Sequence, residues 1–200
     1  MDIVKRLFDI IFSMVILFAA SPIFVITSLA IWIESRGTGT ILYKSRRRGR
    51  LWVEFDMFKF RSMIPDAEKF QSAIAHLNEA SGKLFKIRRD PRITPVGKII
   101  RRLSIDELPQ IFNVLRGEMS LVGPRPLPVD QFDYKDDRQT ARLLVRPGIT
   151  GLWQIRGRSD VGFERMLKLD LFYIQRRTLA MDMWILCKTV PAVLNGRGAF

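Results

Sequence analysis

Ile10-Ile-Phe-Ser-Met-Val-Ile-Leu-Phe-Ala-Ala-Ser21-Pro22-Ile-Phe-Val-Ile-Thr-Ser-Leu-Ala-Ile-Trp-Ile33 is the stretch on which the fold turns. A straight helix through it rises roughly 36 Å, enough for a hydrocarbon core of about 30 Å. Each arm beside Pro22 rises only about 16–18 Å, too little to cross. Pro22 removes a backbone N–H and clashes with the carbonyl four residues back, so a bend there has a physical cause. The Ser21 hydroxyl can bond a carbonyl that the bend frees. Lys5 and Arg6 precede the run; Arg36, Lys44, Arg46, Arg47, Arg48 and Arg50 follow it. Basic flanks prefer the cytoplasmic side. Two such flanks are frustrated in a spanning helix and satisfied in a segment that dips in and returns. A spanning helix with a tolerated proline is the other reading, and on these residues both stand. The run is too long for a secretory signal peptide, and no small-x-small cleavage site follows it.

Outward from this anchor, 200 residues with 48% hydrophobic content suggest one further domain with a core of its own. Lys+Arg 33 against Asp+Glu 20 gives a net charge of +13, which asks for an anionic partner. Beside an apolar anchor, anionic membrane lipid is preferred, each Lys or Arg near the leaflet contributing about 1 kcal/mol. Nucleic acid is disfavoured because no recognition motif is present. A single Cys187 allows no intrachain disulfide and, within an apolar stretch, reads as a buried structural thiol. With that Cys and one His76, zinc sets and Cys-His or Ser-His dyads are excluded. Chemistry must come from carboxylates and from Lys and Arg, with or without a bound metal.

Past Gly37-Thr-Gly39, Ile41–Tyr43 and Trp52–Phe60 read as short strands joined by a basic turn, Lys44–Arg50. Asp66–Leu77 reads as a surface helix, followed by a polar linker through Gly82. Val96, Ile99, Ile100 and Leu103 recur at helical spacing, with charge on the other face, as in a helix on a membrane surface or an ordinary packing helix. Leu108–Leu115 is expected to be a helix stopped at Gly117, Asp133–Val145 a charged helix, and Phe163–Arg177 and Asp182–Leu194 two more. The expected fold is mainly α with a small β element.

Three segments and one helix-spaced pair could carry chemistry. In Leu103-Ser-Ile-Asp-Glu-Leu-Pro109, Ser104 and Glu107 match a capping box, yet Pro109 would then fall inside the helix. Pro109 is better placed at the helix start, leaving Asp106 and Glu107 in the approach. Neighbouring carboxylates point different ways, so one can attack while the other holds a cation. Arg125, in Gly123-Pro-Arg-Pro126, is presented by a stiff backbone suited to phosphate, or is an exposed Arg on a rigid loop. Arg146-Pro-Gly-Ile-Thr-Gly151 allows close backbone approach but fits no P-loop. Asp170 and Tyr173, at i and i+3, either face a pocket or form a surface pair.

Together these segments resemble the bacterial sugar transferase family, the monotopic polyprenyl-phosphate phosphoglycosyl transferases. The likeness covers Lys5-Arg-Leu-Phe-Asp9, Ser21-Pro22, Phe58-Lys-Phe-Arg-Ser-Met63, Asp90-Pro-Arg-Ile-Thr-Pro-Val-Gly97 and Leu103–Gln110. It continues through Asn113–Pro126 and Arg146–Gln154, nearly the whole chain in order. The length looks like the minimal form, and the ending Asn195–Phe200 like members that start exopolysaccharide units. The resemblance implies a monotopic membrane protein: residues 1–36 a re-entrant, Pro-broken membrane helix (break at Ser21 and Pro22), residues 37–200 a catalytic domain on the cytoplasmic face of the bacterial inner membrane, with surface amphipathic helices. It implies transfer of a sugar 1-phosphate from a UDP-sugar to polyprenyl phosphate, releasing UMP. Asp106 would be the nucleophile and Asp106 and Glu107 the ligands of Mg²⁺. Arg101 and Arg125 would clamp phosphate, and Lys59, Arg158 and Asp170 would line the nucleotide-sugar pocket. A non-catalytic membrane-surface scaffold or lipid-binding protein is the alternative, and it would have no need of Asp106, Glu107 and Arg125 together. The sugar, a homodimeric state and downstream glycosyltransferase partners are left open.

Overall fold

The computed structural model describes residues 2–70, 72–79, 87, 89–157 and 161–194. Arg158, Asn195–Phe200 and the end of the linker near Gly82, all singled out above, lie outside the described residues.

The apolar run folds as α1 (Asp2–Glu34), a single helix with Pro22 inside it. Helical backbone therefore continues through the expected break at Ser21-Pro22. The reason is local: the missing proline amide would have served the Phe18 carbonyl, and the Ser21 hydroxyl donates to that carbonyl at 2.8 Å instead. Asp9, Ser13, Ala20, Thr27 and Ile31 form a buried stripe at four- and seven-residue helical steps. Ile11, Phe18, Val25 and Leu29 on the other faces are exposed. By length and composition α1 suffices to cross a membrane.

Both ends of α1 are tied to the remainder of the chain. Near its start Arg6 donates to the carbonyls of Val114 and Leu115 at 2.5 and 2.8 Å, and Lys5 pairs with Asp182 at 2.6 Å. Near its end Glu34 Oε1 accepts the Val96 amide at 2.8 Å. Phe8, Phe12 and Ile16 pack on the main core, and Phe24 and Ile31 on Phe60 and Ile100.

Strands β1 (Leu42–Arg48) and β2 (Glu54–Phe60) pair antiparallel, with Tyr43 opposite Lys59. Lys44–Arg48, expected as a turn, belong to β1, and the reversal falls at Gly49–Val53. Cross-strand pairs of Arg46 with Glu54 and Asp56, both 3.2 Å, accommodate the charge on the solvent side of the hairpin. The expected helix over 66–77 is two short 3-10 turns, Ala67–Phe70 and Ala75–Leu77; within them only Ala67 is buried, so no apolar face holds a longer helix.

Helix α2 (Pro95–Arg102) starts where Thr94 accepts the Gly97 amide at 2.9 Å. Helix α3 (Gln110–Arg116) stops at Gly117, whose φ of 86° suits a residue without Cβ. Then come β3 (Ser120–Val122), α4 (Asp137–Ala141), β4 (Gly148–Thr150), α5 (Phe163–Arg176) and α6 (Leu179–Leu194). The charged helix expected over 133–145 shrinks to α4 and the turn Arg142–Leu144. Asp136 accepts the Arg138 amide at 2.9 Å and so caps the helix several residues later than expected. Strands β3 and β4 pair in parallel, Val122 opposite Thr150, and three residues each are too few to show alternation in the sequence. Cys187 on α6 is exposed, correcting the expectation of a buried thiol; α6 turns Ile185 inward instead. The main core unites Phe55 and Met57 of β2, Val114 of α3, Leu121 and Val122 of β3, Tyr173 of α5 and Ile185 of α6.

Candidate active site

After α2, Ser104 adopts a left-handed conformation (φ 54°) and reverses the chain into one 3-10 turn, Ile105–Glu107. Ser104 makes no side-chain cap, so the capping box does not form; Pro109 begins α3 as its N-cap. Asp106 and Glu107 accordingly stand in the approach to α3, packed on α2 and β2.

The two carboxylates live in different surroundings. Lys59 Nζ donates to Glu107 Oε1 at 2.9 Å, and Arg125 donates to both Glu107 oxygens, one bond at 2.9 Å. Such a bidentate pair fixes both the position and the charge of Glu107. Burial pushes the Glu107 carboxyl up, but Arg125 and Lys59 outweigh it and hold it below the usual carboxylate range. Asp106, 7% exposed, meets Lys59, Arg101 and Arg125 only through space. Burial first, and the Glu107 charge second, push its carboxyl up to about 6 against the pull of those cations.

Arg101 Nε donates to the Ser62 hydroxyl at 2.8 Å, which aims its guanidinium from α2 toward the dyad. Burial lowers the Lys59 ammonium from its ordinary value and takes the Arg47 guanidinium down to about 10, which leaves Arg47 charged at neutral pH. Arg47, Lys59, Arg101 and Arg125 surround Asp106 and Glu107, with Asp130 also acting on Arg47 and Asp90 on Arg101. Four cations around one dyad favour an anionic ligand.

Sequence reasoning had brought Asp106, Glu107, Lys59, Arg101 and Arg125 to one place, and they are together. Asp170 is not among them: it is 1% exposed on α5 and pairs with Arg142 Nε at 2.9 Å. Tyr173 turns away and donates to Asp182 at 2.7 Å. So Asp170 and Tyr173 are not a surface pair: Asp170 faces Arg142, and Tyr173 lines a cleft with Lys5, Asp9 and Arg177. The sequence reading missed Asn113, fully buried on α3, which accepts the Phe58 amide at 2.9 Å and donates to the Asp56 carbonyl at 2.8 Å. This clip holds β2, and with it Lys59, against the helix that follows the dyad. A polar residue at i+3 from Gln110 on a buried helical face was the available signal. It also missed Arg47, hidden in what looked like a basic turn.

A family model described as bacterial sugar transferase matches residues 1–196. The chain belongs to the bacterial sugar transferase family. Among its relatives is the undecaprenyl-phosphate galactose phosphotransferase of Salmonella typhimurium, 42% identical over 201 residues, covering 98% of this chain and 41% of that protein. The exopolysaccharide production protein ExoY of Sinorhizobium fredii is 39% identical over 200 residues, covering 98% of this family member and 88% of ExoY. The undecaprenyl-phosphate glucose phosphotransferase of Komagataeibacter xylinus is 41% identical over 209 residues, 98% of this chain and 37% of that enzyme. This family member thus spans well under half of two of these relatives and most of the third.

Mg²⁺, which the family likeness implies, can be weighed against the donor set. Among the described residues no three His, Cys, Asp or Glu side chains gather to hold a metal. Mg²⁺ is commonly held by one or two carboxylates plus substrate phosphates. Asp106, not hydrogen-bonded among the described residues, and the second lone pair of Glu107 Oε2 supply an oxygen-only pair of that kind. The residues fit the ion as one brought together with a diphosphate.

Proposed function

We propose that the chain transfers a sugar 1-phosphate from a UDP-sugar to polyprenyl (undecaprenyl) phosphate, giving polyprenyl-diphosphate-sugar and UMP. The reaction is the first membrane step of exopolysaccharide or other glycoconjugate synthesis. The observation that carries this reading is the division within the dyad: Glu107 clamped by Lys59 and Arg125, Asp106 unclamped beside them. The names of the relatives, undecaprenyl-phosphate sugar phosphotransferases, support the same acceptor and reaction class.

An Asp106 oxygen attacks the sugar-bearing phosphorus. The bond from that phosphorus to the bridging oxygen breaks, and UMP leaves with the electron pair. The enzyme then carries an aspartyl phosphosugar. An oxygen of polyprenyl phosphate attacks the same phosphorus, the aspartyl bond breaks, and the Asp106 carboxylate is restored. Both attacks bring an anion to an anion, and Lys59, Arg101 and Arg125 supply the neutralising field. Mg²⁺, held by Asp106 and Glu107 when bound, would lower the charge on the diphosphate. A nucleophile that titrates near 6 is ionised at neutral pH yet poorly solvated.

The acceptor phosphate lies at headgroup depth. The ties of Arg6 and Glu34 to one catalytic domain support an anchor whose two ends share one side, with Pro22 at its deepest point. We read that side as the cytoplasmic face of the inner membrane, where the net charge of +13 meets anionic lipid.

The test is UMP release from a panel of UDP-sugars with polyprenyl phosphate and Mg²⁺. Asp106→Asn is expected to abolish release with the fold intact, and wild type incubated with UDP-sugar alone to acquire a phosphosugar on Asp106. Full activity of the variant would overturn the assignment.

A further inference from the structure

We infer that Arg142 and Asp170 are positioning residues, holding the backbone of the Gly123–Pro126 loop so that the Arg125 guanidinium stays aimed at Glu107 and the substrate phosphate. This rests on the function proposed above.

The loop cannot hold itself. Pro124 and Pro126 have no N–H to donate, so beyond the Gly123 amide, which donates to the Thr150 carbonyl at 2.9 Å, its backbone is held through its carbonyls. Four successive carbonyls are all taken. Pro124 accepts from the Gly148 amide at 2.9 Å, and Arg125 from Arg142 Nη2 at 2.6 Å. Pro126 accepts from Arg47 at 3.4 Å, and Leu127 from the Arg48 amide at 3.3 Å. The shortest of the four, and the one on Arg125 itself, comes from a buried charged side chain rather than from a neighbouring strand.

That side chain is braced in turn. Arg142 is 4% exposed, and Asp170, 1% exposed, takes its Nε at 2.9 Å. Asp170 sits on α5, 28 residues further along the chain. A buried ion pair is weak evidence for stability, since an apolar pair of similar volume often serves as well. What an apolar pair cannot supply is a directed donor for the Arg125 carbonyl. The line therefore runs from Asp170 through Arg142 and the Arg125 backbone to Glu107, each link a hydrogen bond.

A residue that acts through Arg125 loses its effect when Arg125 is gone. The experiment is a double-mutant cycle on the full chain in lipid nanodiscs, reading kcat/KM for UMP release per folded enzyme together with the unfolding temperature. Arg142→Lys is expected to lower kcat/KM at least tenfold, and Arg125→Ala to lower it further. Adding Arg142→Lys to Arg125→Ala is expected to change kcat/KM less than twofold. Should Arg142→Lys fail to fold, Asp170→Asn, which keeps the side-chain size, takes its place in the cycle. Losses that multiply across the two sites would overturn the inference. So would a lowered unfolding temperature with kcat/KM unchanged, which marks a merely structural pair. A wild type that releases no UMP from any UDP-sugar would instead overturn the proposed function, and the inference with it.

Discussion

The Ser21 hydroxyl donates to the Phe18 carbonyl at 2.8 Å, the carbonyl that Pro22 leaves without its helical donor. In hydrocarbon an unpaired carbonyl is costly, so this bond lets a proline sit at the midpoint of α1. Ser21→Ala is expected to lower stability by about 1–3 kcal/mol, seen as a lower unfolding temperature in nanodiscs. The same helix makes a topological prediction. With Cys187→Ala as background, Ile3→Cys and Thr40→Cys should react with an impermeant thiol reagent from the same side of the membrane. Labelling from opposite sides would overturn the returning anchor.

Adjacent carboxylates should give opposite stability effects. The Asp106 carboxyl is raised to about 6, chiefly by burial, so its charged form destabilises the fold above that pH. Asp106→Asn removes this penalty and should raise stability at neutral pH by roughly 1–3 kcal/mol while abolishing transfer. Glu107 is held low by Arg125 and Lys59, so its contribution is present above its unfolded value and is lost as pH falls through the folded one. Glu107→Gln leaves two cations without their anion and should lower stability by about 1–3 kcal/mol. Thermal unfolding of the two variants side by side checks the signs.

The pH profile follows from the same geometry. Attack needs the ionised Asp106, so kcat/KM for the UDP-sugar should be flat above about 7 and fall tenfold per unit below about 6. Because the raised value depends on burial and on the Glu107 charge, Glu107→Gln should move the acid limb to lower pH in whatever activity remains. An acid limb that stays near 6 in that variant would remove Glu107 from the account.

How much of this was legible in the sequence differs from residue to residue. Asp106, Glu107 and Arg125 were singled out by their local segments, Arg101 and Lys59 by the family resemblance, and the fold brings the five together. Pro109 alone argued correctly that the dyad precedes α3 rather than capping it. The continuity of α1 through Pro22 was not visible, because it depends on which carbonyl Ser21 chooses. Spacing on α5 shows which residues share a face, not that Asp170 on that face meets Arg142. The pair β3 and β4 carries too few residues for any periodicity, and Arg47 was hidden in a run whose charge resembled a solvated turn.

The last prediction concerns Gly97, where α2 crosses the exit of β2. A Cβ built there would lie 2.0 Å from the Ser62 carbonyl oxygen and 2.8 Å from its carbon, and backbone cannot swing aside like a side chain. Gly97→Ala therefore must push α2 away from Ser62. Two contacts lie on that path: Arg101 to the Ser62 hydroxyl at 2.8 Å and the Thr94 amide to the Ser62 carbonyl at 3.1 Å. The expected result is a loss of about 2–4 kcal/mol from overpacking and the broken bonds, with kcat/KM falling because Arg101 no longer faces Asp106. Gly162→Ala is the control: among the described residues nothing lies within 4 Å of a Cβ there, and its effect should stay within about 0.5 kcal/mol. Equal behaviour of the two variants would mean that α2 does not depend on the close approach at Gly97 to aim Arg101.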